Sequence, residues 1–292
     1  RAHLDGFFGP LMEAVGENHG RRGLRHAIVD SWEAGQQNWT EAMVDAFRSR
    51  RGYDLIAFLP VLTGRVVETA AASDRLLWDF RATIGDLLAE NHYAVIRDYV
   101  HARGLYLYGE SMGVDLPTVG DGLRLKGLSD IPTGEFWAQV DNAPDWPTHV
   151  ADIREAASAA SIYGRTIVAA EAFTALDAVP AWSMGPRELK PVADRFLAEG
   201  VNRFIIHTSV HQPFLDRAPG VTLRRYGQHF TRHEAWAEQA GLWLDYLARG
   251  CALQQQGRRV ADIAVFYGDG APVAAPFRPG LTPDLPAEHA FD

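Results

Sequence analysis

The sequence predicts an α/β fold built on a parallel sheet, and three observations carry that expectation. Short apolar runs alternate with long stretches that are apolar at helical spacing. Each apolar run ends in polar residues, and a parallel sheet places its ligands at those C-terminal strand ends. About five such strand, loop and helix units precede a final apolar run, against the eight of a closed (β/α)8 TIM-type barrel. If the fold is a barrel, this chain is its C-terminal portion.

The 292 residues are 47% hydrophobic and 22% charged. That balance belongs to a globular protein with a sizeable core and excludes disordered, collagen-like and coiled-coil chains. The net charge of -9 arises from 28 basic and 37 acidic residues. Basic residues cluster no further than Arg pairs at 21–22, 50–51, 224–225 and 258–259, which argues against a nucleic-acid or anionic-membrane partner. No apolar run approaches the roughly 18 residues of a membrane span, and the compartment stays open. Cys251 is the single cysteine, so an internal disulfide and a thiolate metal cluster are both excluded, and it is expected to be a buried apolar residue.

The chain opens at Arg1 inside a helical pattern and ends on a Pro-rich tail, Ala271 to Asp292. The expectation is a portion of a longer protein, with residues 1–258 in the catalytic barrel and 259–292 starting a following module.

In chain order, the first helix is expected around His3 to Val15. Gly23 to Asp30 reads as a strand delivering Asp30 and Glu33 to a loop with Gly35 and Asn38, after which Thr40 caps a helix running to Arg51. Asp74 to Arg103 is apolar at helical spacing through Leu76, Phe80, Ile84, Leu88, Ile96 and Val100, and Gly104 stops it. Leu105 to Tyr108 is a strand leading into Gly109-Glu110-Ser111, and a weaker strand or turn lies near Leu123 to Ile131. A helix from Trp146 to Tyr163 precedes the strand Thr166 to Ala170, which ends at Glu171. Pro186 and Glu188 open another helix, Asn202 to His207 is a strand, Phe230 to Gln256 is the last long helix, and Val260 to Tyr267 is a final strand.

Four acidic residues fall at or just after these strand ends: Glu33 in DSWEAG, Glu110 in YGES, Glu135 in TGEFW and Glu171 in AAEAFT. Strand ends converge around the mouth of a parallel barrel, so residues distant in sequence can form one acidic pocket. Glycoside hydrolysis needs two carboxyl groups, one protonated to release the leaving oxygen and one to activate water or attack the anomeric carbon. Asp30 can hold Glu33, bind a sugar hydroxyl or cap the loop. The same cluster suits a divalent cation such as calcium, which takes carboxylate, hydroxyl and carbonyl oxygens, although no DxDxDG loop is present.

Histidines form a second group, with His207 and His211 flanking Thr208-Ser209, and His229 and His233 in GQHFTRHE. The i, i+4 pair suggests zinc or, alternatively, sugar-hydroxyl binding or loop packing; HExxH is absent. The 8 Trp and 9 Tyr sit beside polar clusters, as Trp32 and Trp39 do in DSWEAGQQNWT, which suits sugar binding as well as core edges. No GxSxG elbow surrounds Ser111 or Ser209, and no phosphate-binding glycine loop follows a strand.

The stretches DSWEAGQQNWT, RRGYDLIAFLPVLTGRVV, DRLLWDF, YGES, EAFT, NRFIIHTSVHQP, GQHFTRHEAWAEQAG and ADIAVFYG resemble the α-L-rhamnosidases of glycoside hydrolase family 106. The resemblance covers nearly the whole chain in order. It implies a multidomain enzyme with a (β/α)8 barrel, a carbohydrate substrate, inverting chemistry and calcium near the bound rhamnose. Carried onto this sequence, it makes Glu33 the general acid and Glu171 the base, with Glu110 and Glu135 facing calcium or rhamnose hydroxyls and open to exchange with Glu171. Asp30, Trp32, Trp39, His207, His211, His229 and His233 are the substrate-binding candidates. A carbohydrate-binding or inactive barrel fragment is the alternative reading.

Overall fold

The computed structural model describes residues 1–20, 22–35, 37–111, 120–138, 146–176, 182–264 and 266. Five strands neighbour one another in chain order, which follows when each strand is returned to the sheet by a helical crossover of one hand. The chain divides into two compact units, one formed by Arg1–Leu107 with Ser111–Ser129 and one by Tyr108–Glu110 with Asp130–Val265.

The first unit contains α1 (Ala2–Val15), β1 (His26–Val29), α2 (Met43–Arg51), α3 (Ala70–Leu88), α4 (Ala94–His101), the start of β2 (Tyr106–Gly109) and α5 (Gly122–Gly127). β1 lies beside β2, where the Tyr106 N–H donates to the Arg25 carbonyl at 2.9 Å. Leu4, Phe8 and Met12 of α1 cover a core of Ala27, Ile96, Val100, Leu105 and Leu107. A second core gathers Phe47, Leu55, Leu76, Phe80, Ile84 and Leu88.

Two expectations are corrected in this unit. Thr40 does not cap α2 with its side chain: its carbonyl accepts from Met43, and the helix opens at Ala42. The long helix expected over Asp74 to Arg103 is capped earlier, by the Thr69 hydroxyl accepting from Ala72 at 3.1 Å. It is then interrupted by a π-helical turn at Ala89–Tyr93. Apolar periodicity continues through such a turn, so the sequence reads as one helix; widening by one residue re-aims the side chains beyond it.

The second unit contains the end of β2, β3 (Ile131–Trp137), α6 (Trp146–Ile162), β4 (Ala169–Thr174), α7 (Pro186–Ala198), β5 (Arg203–Ile206) and α8 (Ala240–Gln254). All three pairings from β2 to β5 are parallel. Pro186 supplies the fixed φ of a helix start, and the Gly185 N–H donates to the Glu188 carboxylate at 2.9 Å.

Strand alternation sorts the residues onto two faces. Phe136, Ala170, Ala172 and Phe173 join Val150, Ile153, Leu189, Phe196, Trp243 and Leu247 in the main core under the helices. On the other face Tyr108, Ile131 and Ala169 form a small cluster with Ile205. Continuing two residues at a time from that cluster leads to Glu110, Glu135, Glu171 and His207. The fold thus turns period-two spacing into a common face for four polar side chains.

Three further corrections belong to this unit and its borders. Leu123 to Ile131 is no strand: the Asp121 carboxylate accepts from Arg124 at 3.0 Å and caps α5, and β3 begins only at Ile131. The helix expected from Phe230 begins at Ala240, after turns and one 3₁₀ turn at Ala237–Gln239. The described part of Val260 to Tyr267 forms no strand, with Val260 77% exposed; an apolar run needs a sheet edge to pair with as well as its own pattern. Tyr267 and the tail from Ala271 lie outside the described residues. Cys251 is half-buried, and burial pushes its thiol pKa up.

Gly134 fixes how closely α6 approaches β3. A Cβ there would stand 2.8 Å from the Asp152 carboxylate and 2.9 Å from Ile153 Cδ1. That carboxylate accepts from the Glu135 N–H at 2.7 Å. Gly134→Ala is therefore expected to lower unfolding free energy by about 1–3 kcal/mol, the usual effect of overpacking. Denaturant unfolding measures it, and an unchanged midpoint contradicts the close packing.

Candidate active site

In the first unit, β1 ends just before Asp30, whose carboxylate accepts from the Ser31 N–H at 2.8 Å. The Ser31 hydroxyl donates to Glu33 Oε1 at 3.0 Å, so one serine organises both acids. Asp30 and Glu33 are exposed. Trp32 is held at both ends: its backbone N–H donates to the Ser111 carbonyl at 3.2 Å, and its indole donates to the Gly35 carbonyl at 3.0 Å. The π-helical turn presents His92 edge-on to the Trp32 ring at 5.1 Å and Tyr93 as a donor to the Ser111 carbonyl. Burial lowers the pKa of His92. Trp39 is 48% exposed, an apolar ring open to solvent.

In the second unit, Glu110 at the end of β2 is 3% exposed. One of its carboxylate oxygens lies within 4.8 Å of one from Glu171. Glu135 and Glu171 are register partners across β3 and β4, which places the two side chains side by side on one face. Glu135 Oε1 accepts from the Trp137 indole, and the His149 ring lies against Trp137 with centroids 5.4 Å apart. Glu135 and Glu171 thus sit inside their strands, where the sequence pattern put them at strand ends.

The end of β4 departs from regular alternation. Phe136 pairs with Ala172 and Trp137 with Thr174, so Phe173 is an extra residue, a β-bulge, with φ at +76°. Phe173 stays in the core beside Phe136 and Phe204. Thr174 consequently joins Glu171, where its hydroxyl lies 3.3 Å from Glu171 Oε1 and 2.8 Å from His207 Nδ1. His207 Nδ1 itself is 3.8 Å from Glu171 Oε1. A protonated imidazole there forms an ion pair with the carboxylate.

Residues 227–230 run across these strand ends. The Gly227 N–H donates to Ala175 at 2.7 Å, just past β4, and the Phe230 N–H donates to Thr208 at 3.0 Å, just past β5. This backbone pairing, which no helical pattern foretells, buries Gln228 and His229. His229 is 1% exposed, lies 4.9 Å from the Trp182 ring, and has its pKa lowered by burial. Its Nδ1 and the Nε2 of His233 are buried with no hydrogen-bond partner among the described residues. Glu234 is buried too, and burial raises its carboxyl pKa. His211 is exposed.

Zinc at the histidines receives no geometric support. Among the described residues, the one group of ligand-type side chains close enough to share an ion includes Glu110 and Glu171 and no histidine. Sequence reasoning missed Thr174, Gln228 and Glu234. The Thr174 contact depends on the bulge, which leaves no trace in the residue pattern.

Carboxylates delivered by parallel strands to one face, with a histidine and an indole ring beside them, define an α/β protein whose polar groups gather at the C-terminal ends of its strands. The family model described as alpha-L-rhamnosidase, glycoside hydrolase family 106, matches residues 1–292, and the chain belongs to that family. It is 41% identical to the solved structure of a rhamnosidase from Novosphingobium sp. PP1Y, with a TM-score of 0.86 over 100% of this chain and 28% of that one. It is also 39% identical over 275 residues to a Formosa agariphila protein named "Putative beta-glucuronidase", covering 94% of this chain and 22% of that protein. The chain therefore spans about a quarter of the relatives it matches.

The buried histidine has a measurable consequence. Burial holds the His229 pKa below its ordinary value, so as pH falls through the ordinary imidazole range the unfolded chain binds more protons and stability falls. Glu234, whose carboxyl pKa burial raises, acts in the opposite direction, its contribution falling as pH rises through the carboxylate range. His229→Gln is expected to lose less melting temperature than the parent between pH 7 and pH 5. Parallel curves in that window count against a buried neutral imidazole.

Proposed function

We propose that this chain forms part of the active site of an α-L-rhamnosidase that releases α-L-rhamnose from rhamnosides or rhamnose-containing polysaccharides. The catalytic fold is a (β/α)8 barrel, of which these strands are the C-terminal portion. The observation that carries the reading is the common face of Glu110, Glu135 and Glu171, with Glu110 and Glu171 oxygens within 4.8 Å. Family membership supports rhamnose as the sugar.

Glu171 is the base. It accepts from Thr174 and faces His207. Glu33 is the acid, on the resemblance of DSWEAG, with its carboxyl oriented by Ser31. Glu33 protonates the glycosidic oxygen as the bond to the sugar breaks, and Glu171 removes a proton from the water that attacks the opposite face. The configuration at the anomeric carbon is thereby inverted. Asp30, His207, His211, His229 and His233 bind sugar hydroxyls, and Trp32 and Trp39 offer ring faces to the sugar.

Calcium is the proposed cofactor, with Glu110 and Glu135 as ligands beside Glu171. Glu110 and Glu171 fit such an ion, since one about 2.3–2.6 Å from each of two oxygens spans separations up to about 5 Å; Glu135 is outside the group of described side chains close enough to share an ion and is a ligand on the resemblance alone. When bound, calcium supplies positive charge that orients sugar hydroxyls and holds the carboxylates ionised.

In the full-length enzyme, Glu33→Gln and Glu171→Gln are each expected to lower turnover of an aryl α-L-rhamnoside by about 10²–10⁴-fold with binding kept. Unchanged turnover in either variant removes that residue's role. Proton NMR of the first product should show β-L-rhamnose; the α-anomer rejects inversion. An aryl β-D-glucuronide, run alongside, should not be cleaved, and preferred cleavage would overturn rhamnose as the substrate. Chelation should abolish activity and added calcium restore it, whereas indifference to chelator dismisses the cation.

A further inference from the structure

We infer that Thr174 is a positioning residue for Glu171, its hydroxyl joining the carboxylate to His207 Nδ1 in one directed hydrogen-bonded chain. The inference rests on the reading of Glu171 as the base.

The distances define the direction. A threonine hydroxyl has one proton to donate and lone pairs to accept with. An ionised carboxylate only accepts, so the hydroxyl proton goes to Glu171 Oε1, 3.3 Å away. The 2.8 Å contact with His207 is then closed by a proton on Nδ1, donated to the threonine oxygen. Thr174 therefore fixes the side of the imidazole that carries hydrogen, and His207 in turn orients the hydroxyl. Thr174 is 2% exposed, so water competes little for either bond.

The backbone shows that this contact is built. Regular alternation after Glu171 would put Thr174 on the opposite face, with Ala172 in the core. The extra residue at Phe173, buried with φ at +76°, reverses the alternation and carries Thr174 to the side of Glu171. A positive φ is rare for a bulky residue and is retained where the surroundings demand it. Two charged or titratable groups and one hydroxyl thereby share a single geometry: Glu171 from β4, His207 from just past β5, and Thr174 from the bulge.

The test is steady-state kinetics of the full-length enzyme on an aryl α-L-rhamnoside. Thr174→Val preserves shape and removes the hydroxyl; it should lower kcat by about tenfold or more while KM moves less than about threefold, the pattern of a transition-state effect. Thr174→Ser restores the hydroxyl and should return kcat to within about threefold of the parent. Parental kcat in Thr174→Val, a loss confined to KM, or a serine variant no better than valine overturns the inference. Should Thr174→Val fail to fold, His207→Asn and His207→Phe decide: an asparagine amide can donate from near the Nδ1 position, so Asn should retain more kcat than Phe, and equal losses overturn the chain. Glu171→Gln separates the two levels. If it is inactive while Thr174→Val is fully active, the coupling fails and the base survives; if it is fully active, the base reading fails.

Discussion

The parallel pairing of β3 with β4 is the constraint on which the site depends. Because side chains alternate, the register that sets Glu135 opposite Glu171 also sets Phe136 opposite Ala172. A slip of β3 by one residue would drive Glu135 into the apolar core and expose Phe136, and a slip of β4 would do the same to Glu171. The core of Phe136, Phe173, Phe196 and Trp243 therefore enforces the positions of the acids from the far side of the sheet. Gly134 makes the register compatible with a closely packed helix, and Asp152 secures it with a bond to the Glu135 backbone.

The bulge at Phe173 is the one place where regularity is given up. A non-glycine residue with positive φ costs on the order of 1–3 kcal/mol. Burying a phenylalanine side chain contributes about 1.5–3 kcal/mol, enough to offset that strain, and Phe173 is fully buried. The departure delivers Thr174 to Glu171 while leaving the aromatic core intact. Strain and stabilisation reside in the same residue.

How much of this was legible in the residues follows from which physics was local. The helices at Ala2–Val15, Trp146–Ile162 and Pro186–Ala198 were legible because spacing, proline and stop signals lie within each segment. Glu110 and Glu171 were legible as candidates because short apolar runs precede them. β3 was not, since Ile131–Trp137 carries a proline and a glycine and is a strand by virtue of neighbours on both sides. The segment around His229 was misread as helix because His229, Phe230 and His233 have helical spacing, whereas the Gly227 N–H bonds to Ala175 and the Phe230 N–H to Thr208.

That misreading bears on what the histidines do. In a helix, His229 and His233 would share a face with their backbone groups already bonded to one another. Instead His229 lies in the segment bonded across the strand ends and His233 in the turn that follows, and His229 Nδ1 and His233 Nε2 are buried with hydrogen-bonding capacity unmet among the described residues. Unmet capacity of this kind destabilises a fold by roughly 1–3 kcal/mol per group. A ligand that brings its own hydroxyls can both donate and accept, and so can satisfy an imidazole in either tautomer. Burial lowers the pKa of His229 and favours its neutral form, so that ring has one donor and one acceptor nitrogen to offer. Under the proposed function, a polyhydroxylated sugar has the chemistry to meet what these imidazoles leave unsatisfied, separately from the carboxylates assigned to its cleavage.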